Sequence, residues 1–130
     1  MAGTFKFELV TPERMVLSQE ASEVVVPGLE GEFTVYPNHA PVISALRPGV
    51  VSATLGDARK LSVFVKGGFA EVDADRVTVL AERALEVEAM SAADIAAELQ
   101  TAEGELASAA TDAARLAAAS AVDQLKALGR

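Results

Sequence analysis

The sequence has no cysteine and no tryptophan among its 130 residues, one histidine, and six aromatic residues in all. Without cysteine there is no disulfide framework and no thiolate metal site, which removes zinc ribbons and Cys-x-x-Cys redox chemistry. A lone histidine, His39, has no second His or Cys with which to hold a metal. Positive charge is also short. Eleven Lys and Arg stand against 19 Asp and Glu, a net charge of −8, and a pI near 4.6 leaves nothing to offset phosphate repulsion. A nucleic-acid partner is therefore excluded. No stretch reaches about 18 apolar residues free of charge, so nothing is expected to span a bilayer. The start, Met1 to Lys6, runs into alternating residues and not into an apolar run with a cleavage site. The expectation is a soluble, cytoplasmic-side protein that meets a membrane only through a partner.

What is present is unevenly spread. The 51% hydrophobic content includes 26 alanines, leaving 40 larger apolar side chains. Residues 1–90 hold 33 of those 40, all five prolines and all six aromatics. Residues 91–130 hold 15 alanines, seven larger apolar residues, no proline and no aromatic. Val, Phe and turn formers suit strands, and Ala, Leu and Glu suit helices. The length fits one ordinary domain, or a small domain with an appendage.

In the front part, Phe5, Phe7 and Leu9 alternate with Lys6 and Glu8, the pattern of a half-buried strand. Further short apolar pieces stop at Thr11-Pro12, Pro27-Gly28, Pro37, Arg47-Pro48-Gly49, Gly56-Asp57, Gly67-Gly68 and Ala74-Asp75. The spacing predicts an all-β N-terminal domain, a flattened β-sandwich or barrel of about eight to ten short strands, over residues 1–88. Residues 89–130 are expected to form a C-terminal α-helical hairpin. Ser91 with Asp94 resembles a capping box ahead of Ile95, Leu99, Ala102 and Leu106, which share one helical face. Thr111-Asp112 offers a second helix start, Leu116, Val122, Leu125 and Leu128 a second stripe, and Gly129 a terminator. Helices this short and alanine-rich need packing from each other, the sandwich or another chain.

Residues able to do chemistry are few. His39 lies in the loop Tyr36-Pro37-Asn38-His39-Ala40-Pro41 and reads as a loop-ordering residue. Gly67-Gly68 precedes a strand and not a helix, so it reads as a φ-permissive turn and not as a phosphate loop. Glu30 and Glu32, and Asp73 and Asp75, read as solvated loop carboxylates. No nucleophile has a base at motif spacing. No catalytic residue, metal ligand or cofactor is expected.

The runs Gly31-Glu32-Phe33-Thr34-Val35-Tyr36-Pro37-Asn38-His39-Ala40-Pro41, then Arg47-Pro48-Gly49, Lys66-Gly67-Gly68-Phe69-Ala70-Glu71-Val72 and Val77-Thr78-Val79-Leu80-Ala81 resemble the ε subunit of bacterial F-type ATP synthase. The resemblance implies a non-catalytic rotor subunit in the central stalk. Its sandwich would dock on the γ subunit and sit on the ring of c subunits, coupling proton flow to ATP synthesis elsewhere, at the cytoplasmic face of the bacterial inner membrane. The family's c-ring loop matches Gly28, Leu29, Glu30, Gly31, Glu32 and Phe33. The segment near γ matches Asn38, His39, Ala40, Pro41 and Val42.

The resemblance also makes the C-terminal helices a regulatory element. In relatives they fold down on the sandwich or extend toward the α and β subunits and inhibit ATP hydrolysis. Some members bind ATP through an Ile/Leu-Asp-x-x-Arg-Ala element. Here the matching stretch is Met90-Ser91-Ala92-Ala93-Asp94-Ile95, with Ser91 for the Asp and Asp94 for the Arg, and no Lys or Arg occurs between Arg83 and Arg115. ATP binding is expected to be absent or weak. Inhibition is expected to be weak too, because the tail offers only Arg115, Lys126 and Arg130 as cations. The rival reading is a stand-alone β-sandwich ligand-binding or adaptor module.

Overall fold

The computed structural model describes residues 3–129; Met1, Ala2 and Arg130, the last expected as a cation of the tail, lie outside them. Seven strands occur among the described residues: β1 (Phe5–Thr11), β2 (Arg14–Gly28), β3 (Gly31–Val35), β4 (Val42–Ala45), β5 (Gly49–Leu55), β6 (Lys60–Val72) and β7 (Arg76–Glu86). A 3-10 turn (Val87–Ala89) leads to helices α1 (Ala92–Ser108) and α2 (Asp112–Leu128).

The strands close on themselves. β1 pairs in parallel with β7, and β7–β6, β6–β5, β5–β2 and β2–β1 pair antiparallel, so the circuit returns to its start. β3 extends the sheet beside the end of β2, and β4 beside the end of β6. Closure leaves few free edges, which suits a chain rich in Val and Phe. Phe5, Phe7, Leu9, Val24, Val26, Val63, Val65, Val77 and Val79 are buried inside the barrel, each stabilising by about 2 kcal/mol relative to exposure.

The strand count is seven, against the eight to ten that the turn signals predict, because two interruptions do not reverse the chain. Met15-Val16-Leu17 and Val24-Val25-Val26, which read from the sequence as two separate short pieces, belong to one long β2, whose pairing with β5 slips between Ala21 and Glu23. The second interruption is Gly67-Gly68. Both glycines have positive φ, +67° and +111°, but β6 runs through them. Val63 and Val65 face inward before the pair, and Ala70 and Val72 after it, a slip of one residue in the alternation. β7 makes the matching slip at Glu82, between Ala81 and Ala84, so the β6–β7 register is the same on both sides. At this bend β6 exchanges β5 for β4 as its outer neighbour.

Both helices begin where their caps lie. Ser91 Oγ accepts from the Asp94 N–H at 3.0 Å, and the Asp94 carboxylate accepts from the Ser91 N–H at 2.9 Å, a complete capping box. Thr111 Oγ1 accepts from the Ala114 N–H at 3.0 Å. The hairpin lies down on the sandwich. Val50, Phe64 and Leu85 are neighbours in register across β5, β6 and β7. They join Met90, Ile95, Ala102, Ala121, Val122 and Leu125 in a second apolar cluster. Phe64, 0% exposed, is its largest fully buried side chain. Ser120 Oγ donates to the Pro48 carbonyl at 2.8 Å. Leu116 departs from the expected stripe and is exposed, since Asp112 to Ala117 is exposed throughout. No helix among the described residues is long and apolar enough to cross a membrane.

Candidate functional site

Two of the segments singled out in the sequence, 28–33 and 38–42, come together at one end of the barrel. β2 and β3 are joined by the two-residue turn Leu29-Glu30, closed by the pair Gly28 and Gly31. Gly31 has φ +147°, and a Cβ on Gly28 would stand 2.6 Å from the Gly31 carbonyl oxygen, so both positions need glycine. The tip is tied down by Leu29 N–H donating to the Ala45 carbonyl at 2.8 Å and Arg47 N–H to the Pro27 carbonyl at 3.1 Å. Leu29, Glu30 and Glu32 are exposed on this rigid tip.

Asn38 to Val42 follow β3. Asn38 takes a left-handed φ of +67°, and its N–H donates to the Ala74 carbonyl at 2.9 Å, fastening the loop to the β6–β7 turn. His39 Nδ1 lies 2.7 Å from the Ala40 carbonyl oxygen, and its ring centroid is 6.4 Å from that of Phe33. Asn38, Ala40, Pro41 and Val42 are exposed. The two segments share a groove of about 610 Å³ whose lining includes Glu30, Glu32, Phe33, His39, Val42 and Ile43. Its charged side chains are both carboxylates, so it favours a polar or basic partner.

A second surface was not read from the sequence. Ala45, Phe69, Leu80, Val10 and Met15 are consecutive partners in register across β4, β6, β7, β1 and β2. They form one apolar row on the outside of the barrel, with Phe69 53%, Leu80 40% and Met15 51% exposed. Ile43, 71% exposed, starts the adjacent row, which continues through Glu71, Thr78 and Glu8. Glu8 is held by Arg76 at 3.5 Å. An apolar strip of this kind, rimmed by charge, has the chemistry of a surface that a protein partner could cover. The slip at Gly67 hid it: unbroken alternation from Val63 and Val65 would turn Phe69 inward.

The start of α1 holds the remaining candidates. Met90 is buried in the second cluster, while Ser91 and Asp94 are engaged in the capping box. The Asp94 carboxyl is held below its ordinary value, first by the Ser91 N–H bond and then by the Ser91 side chain. A cavity of about 330 Å³ here is lined by Arg83 with Glu86, Asp94 and Glu98. Its cation, Arg83, is bound by Glu98 at 2.6 Å. Three carboxylates around one guanidinium repel phosphate. No group of three or more His, Asp or Glu suited to a metal occurs among the described residues.

The family model described as "ATP synthase, Delta/Epsilon chain, beta-sandwich domain" matches residues 4–87. An ATP synthase epsilon chain of Rhodospirillum rubrum is 46% identical over 121 residues, 93% of this chain and 90% of that relative. One from Mesorhizobium japonicum is 42% identical over 128 residues, 98% and 95% of the two chains. In fold, the chain is similar to one in the Euglena gracilis mitochondrial ATP synthase OSCP/F1/c-ring assembly, with TM-score 0.74, 20% identity, and 98% and 81% coverage. It is also similar to one in the Tetrahymena thermophila mitochondrial ATP synthase central stalk/c-ring, with TM-score 0.69, 14% identity and 98% coverage of both.

Proposed function

We infer the function of this chain from its kinship: it belongs to the family of ATP synthase epsilon chains, along its β part and through its helices. The reading is a non-catalytic rotor subunit of the central stalk that joins γ to the c-ring and so helps couple proton flow to ATP synthesis. It works peripherally, on the cytoplasmic face of the membrane, held there by its partners. Residues 1–88 are the docking part and residues 89–130 the regulatory part.

The observation that carries this reading is the pair of surfaces on one rigid barrel. The turn Gly28 to Phe33 projects Glu30 and Glu32 from a tip pinned by backbone hydrogen bonds, which suits contact with polar loops of a c-ring. Asn38 to Val42 leads into Ile43 and the apolar row through Phe69 and Leu80. This suits a larger, drier contact with γ, since apolar burial supplies most of the association free energy. A link between two partners needs two contact surfaces, here adjoining, and little internal give.

ATP is not a ligand of this chain in the reading proposed, because Glu98 occupies the Arg83 guanidinium and Asp94 adds negative charge beside it. Calorimetry of the isolated chain with ATP is expected to give no heat of binding in the micromolar range. The docking reading is tested with purified γ. The parent chain is expected to bind it, and Phe69→Glu with Leu80→Glu to weaken binding at least about a hundredfold, as for paired hot-spot residues. A parent chain that ignores γ would favour the stand-alone module.

A further inference from the structure

Lys66 and Arg83 are directly opposite each other across the β6–β7 ladder. Like charges in that position repel and destabilise the pair of strands. Both reach the same helix. Lys66 Nζ is 3.3 Å from Glu105 Oε1, and Arg83 Nη2 is 2.6 Å from Glu98 Oε2. Glu98 and Glu105 are seven residues apart on α1, two helical turns and so on one side of it. One partner in each pair is shielded: the Lys66 side chain is 19% exposed and that of Glu98 14%.

We propose that Lys66 and Arg83 form an electrostatic latch that seats α1, and through it the whole hairpin, on the β6–β7 face. Docking relieves a repulsion built into the sheet and also makes two ion pairs. When α1 is away, the two cations remain side by side, with Glu82, whose carboxylate lies over Gly67, as the nearby counter-charge. The apolar cluster around Phe64 supplies adhesion, and the latch supplies orientation: Glu98 and Glu105 meet the two cations only with α1 in this rotation and register. The docked state is accordingly salt-sensitive although its centre is dry. This concerns the chain's own fold and stands apart from its place in any assembly.

The absence of cysteine makes the test clean. Spin labels at Glu13→Cys on the exposed β1–β2 turn and Gly104→Cys, where a side chain meets open space, report the distance between sandwich and hairpin in the full chain. The parent is expected to show one narrow distance at about 0.01 M salt and a growing long-distance population toward about 1 M, as the screening length falls from about 30 to about 3 Å. Lys66→Glu with Arg83→Glu is expected to raise the detached population about tenfold at low salt, the effect of roughly two such pairs. Adding Glu98→Arg and Glu105→Lys restores the parent distance. Should the double variant not fold, Glu98→Gln with Glu105→Gln, on the helix surface, carries the same expectation. A neutralised or reversed latch that keeps the parent distance at both salt concentrations overturns the proposal. So does a fourfold swap that stays as detached as the double variant.

Discussion

A methyl group on Gly68 would overlap the Leu80 carbonyl oxygen of the neighbouring strand, and its φ of +111° is one that L side chains rarely adopt. Gly104, on the outside of α1, has open space around it. The two glycines therefore respond oppositely to alanine. Gly68→Ala is expected to destabilise by about 3 kcal/mol, through strain and collision. Gly104→Ala is expected to stabilise by about 0.5–1 kcal/mol, through helix propensity. Denaturant unfolding of both variants checks the pair. Asp94 gives a pH signature at the same scale. Its folded pKa is depressed by the Ser91 hydrogen bonds, so its contribution is complete above the unfolded value near 3.9 and is lost as pH falls through the lower folded value. Ser91→Ala removes the smaller, side-chain cause and keeps the backbone N–H bond, so it is expected to move the Asp94 titration, followed by carboxyl NMR, only part of the way up. An unchanged titration would deny the Ser91 side chain its share of the effect.

At the scale of elements, the sequence was most legible where a signal was local. Phe5, Phe7 and Leu9 alternate into the core as their spacing implies, and Ser91 and Thr111 cap the helices they precede. What escaped was compensated elsewhere in the chain. The slip at Gly67 is invisible without its counterpart at Glu82, and without both, Phe69 and Phe64 exchange apparent roles. Phe64 reads as a surface position between Val63 and Val65, yet the hairpin covers it. Leu116 reads as part of a buried stripe, yet α2 carries it beyond the sandwich. The docked hairpin also shapes what its removal should do. Deleting residues 91–130 bares Phe64, Val50 and Leu85, so the isolated chain should melt at a lower temperature. In the assembled enzyme, the same deletion is expected to leave assembly and coupling largely intact and to raise ATP hydrolysis only modestly. The described cations of α2, Arg115 and Lys126, are offset by Asp112 and Asp123, with Arg115 bound to Asp112 at 2.8 Å. A severalfold rise in hydrolysis on deletion would contradict this.

Across the whole molecule, chemistry gives way to shape. A net charge of −8, a closed barrel, an acidic tip and an apolar outer row suit a chain that works by being held at two places. The turn at the tip was legible in the sequence, because the Gly28 to Phe33 run is contiguous. The apolar row was not, because its five members come from five strands and meet only through register. The most direct test uses the cysteine-free background. Glu32→Cys and Phe69→Cys, each carrying a short cross-linker, are assembled into the complete ATP synthase, and ATP-driven proton pumping is measured before and after linking. The account predicts that Glu32→Cys links to the c-ring and Phe69→Cys to γ, with pumping preserved under both links because all three parts turn together. Absence of either link, or a link to these partners that halts pumping, would contradict it.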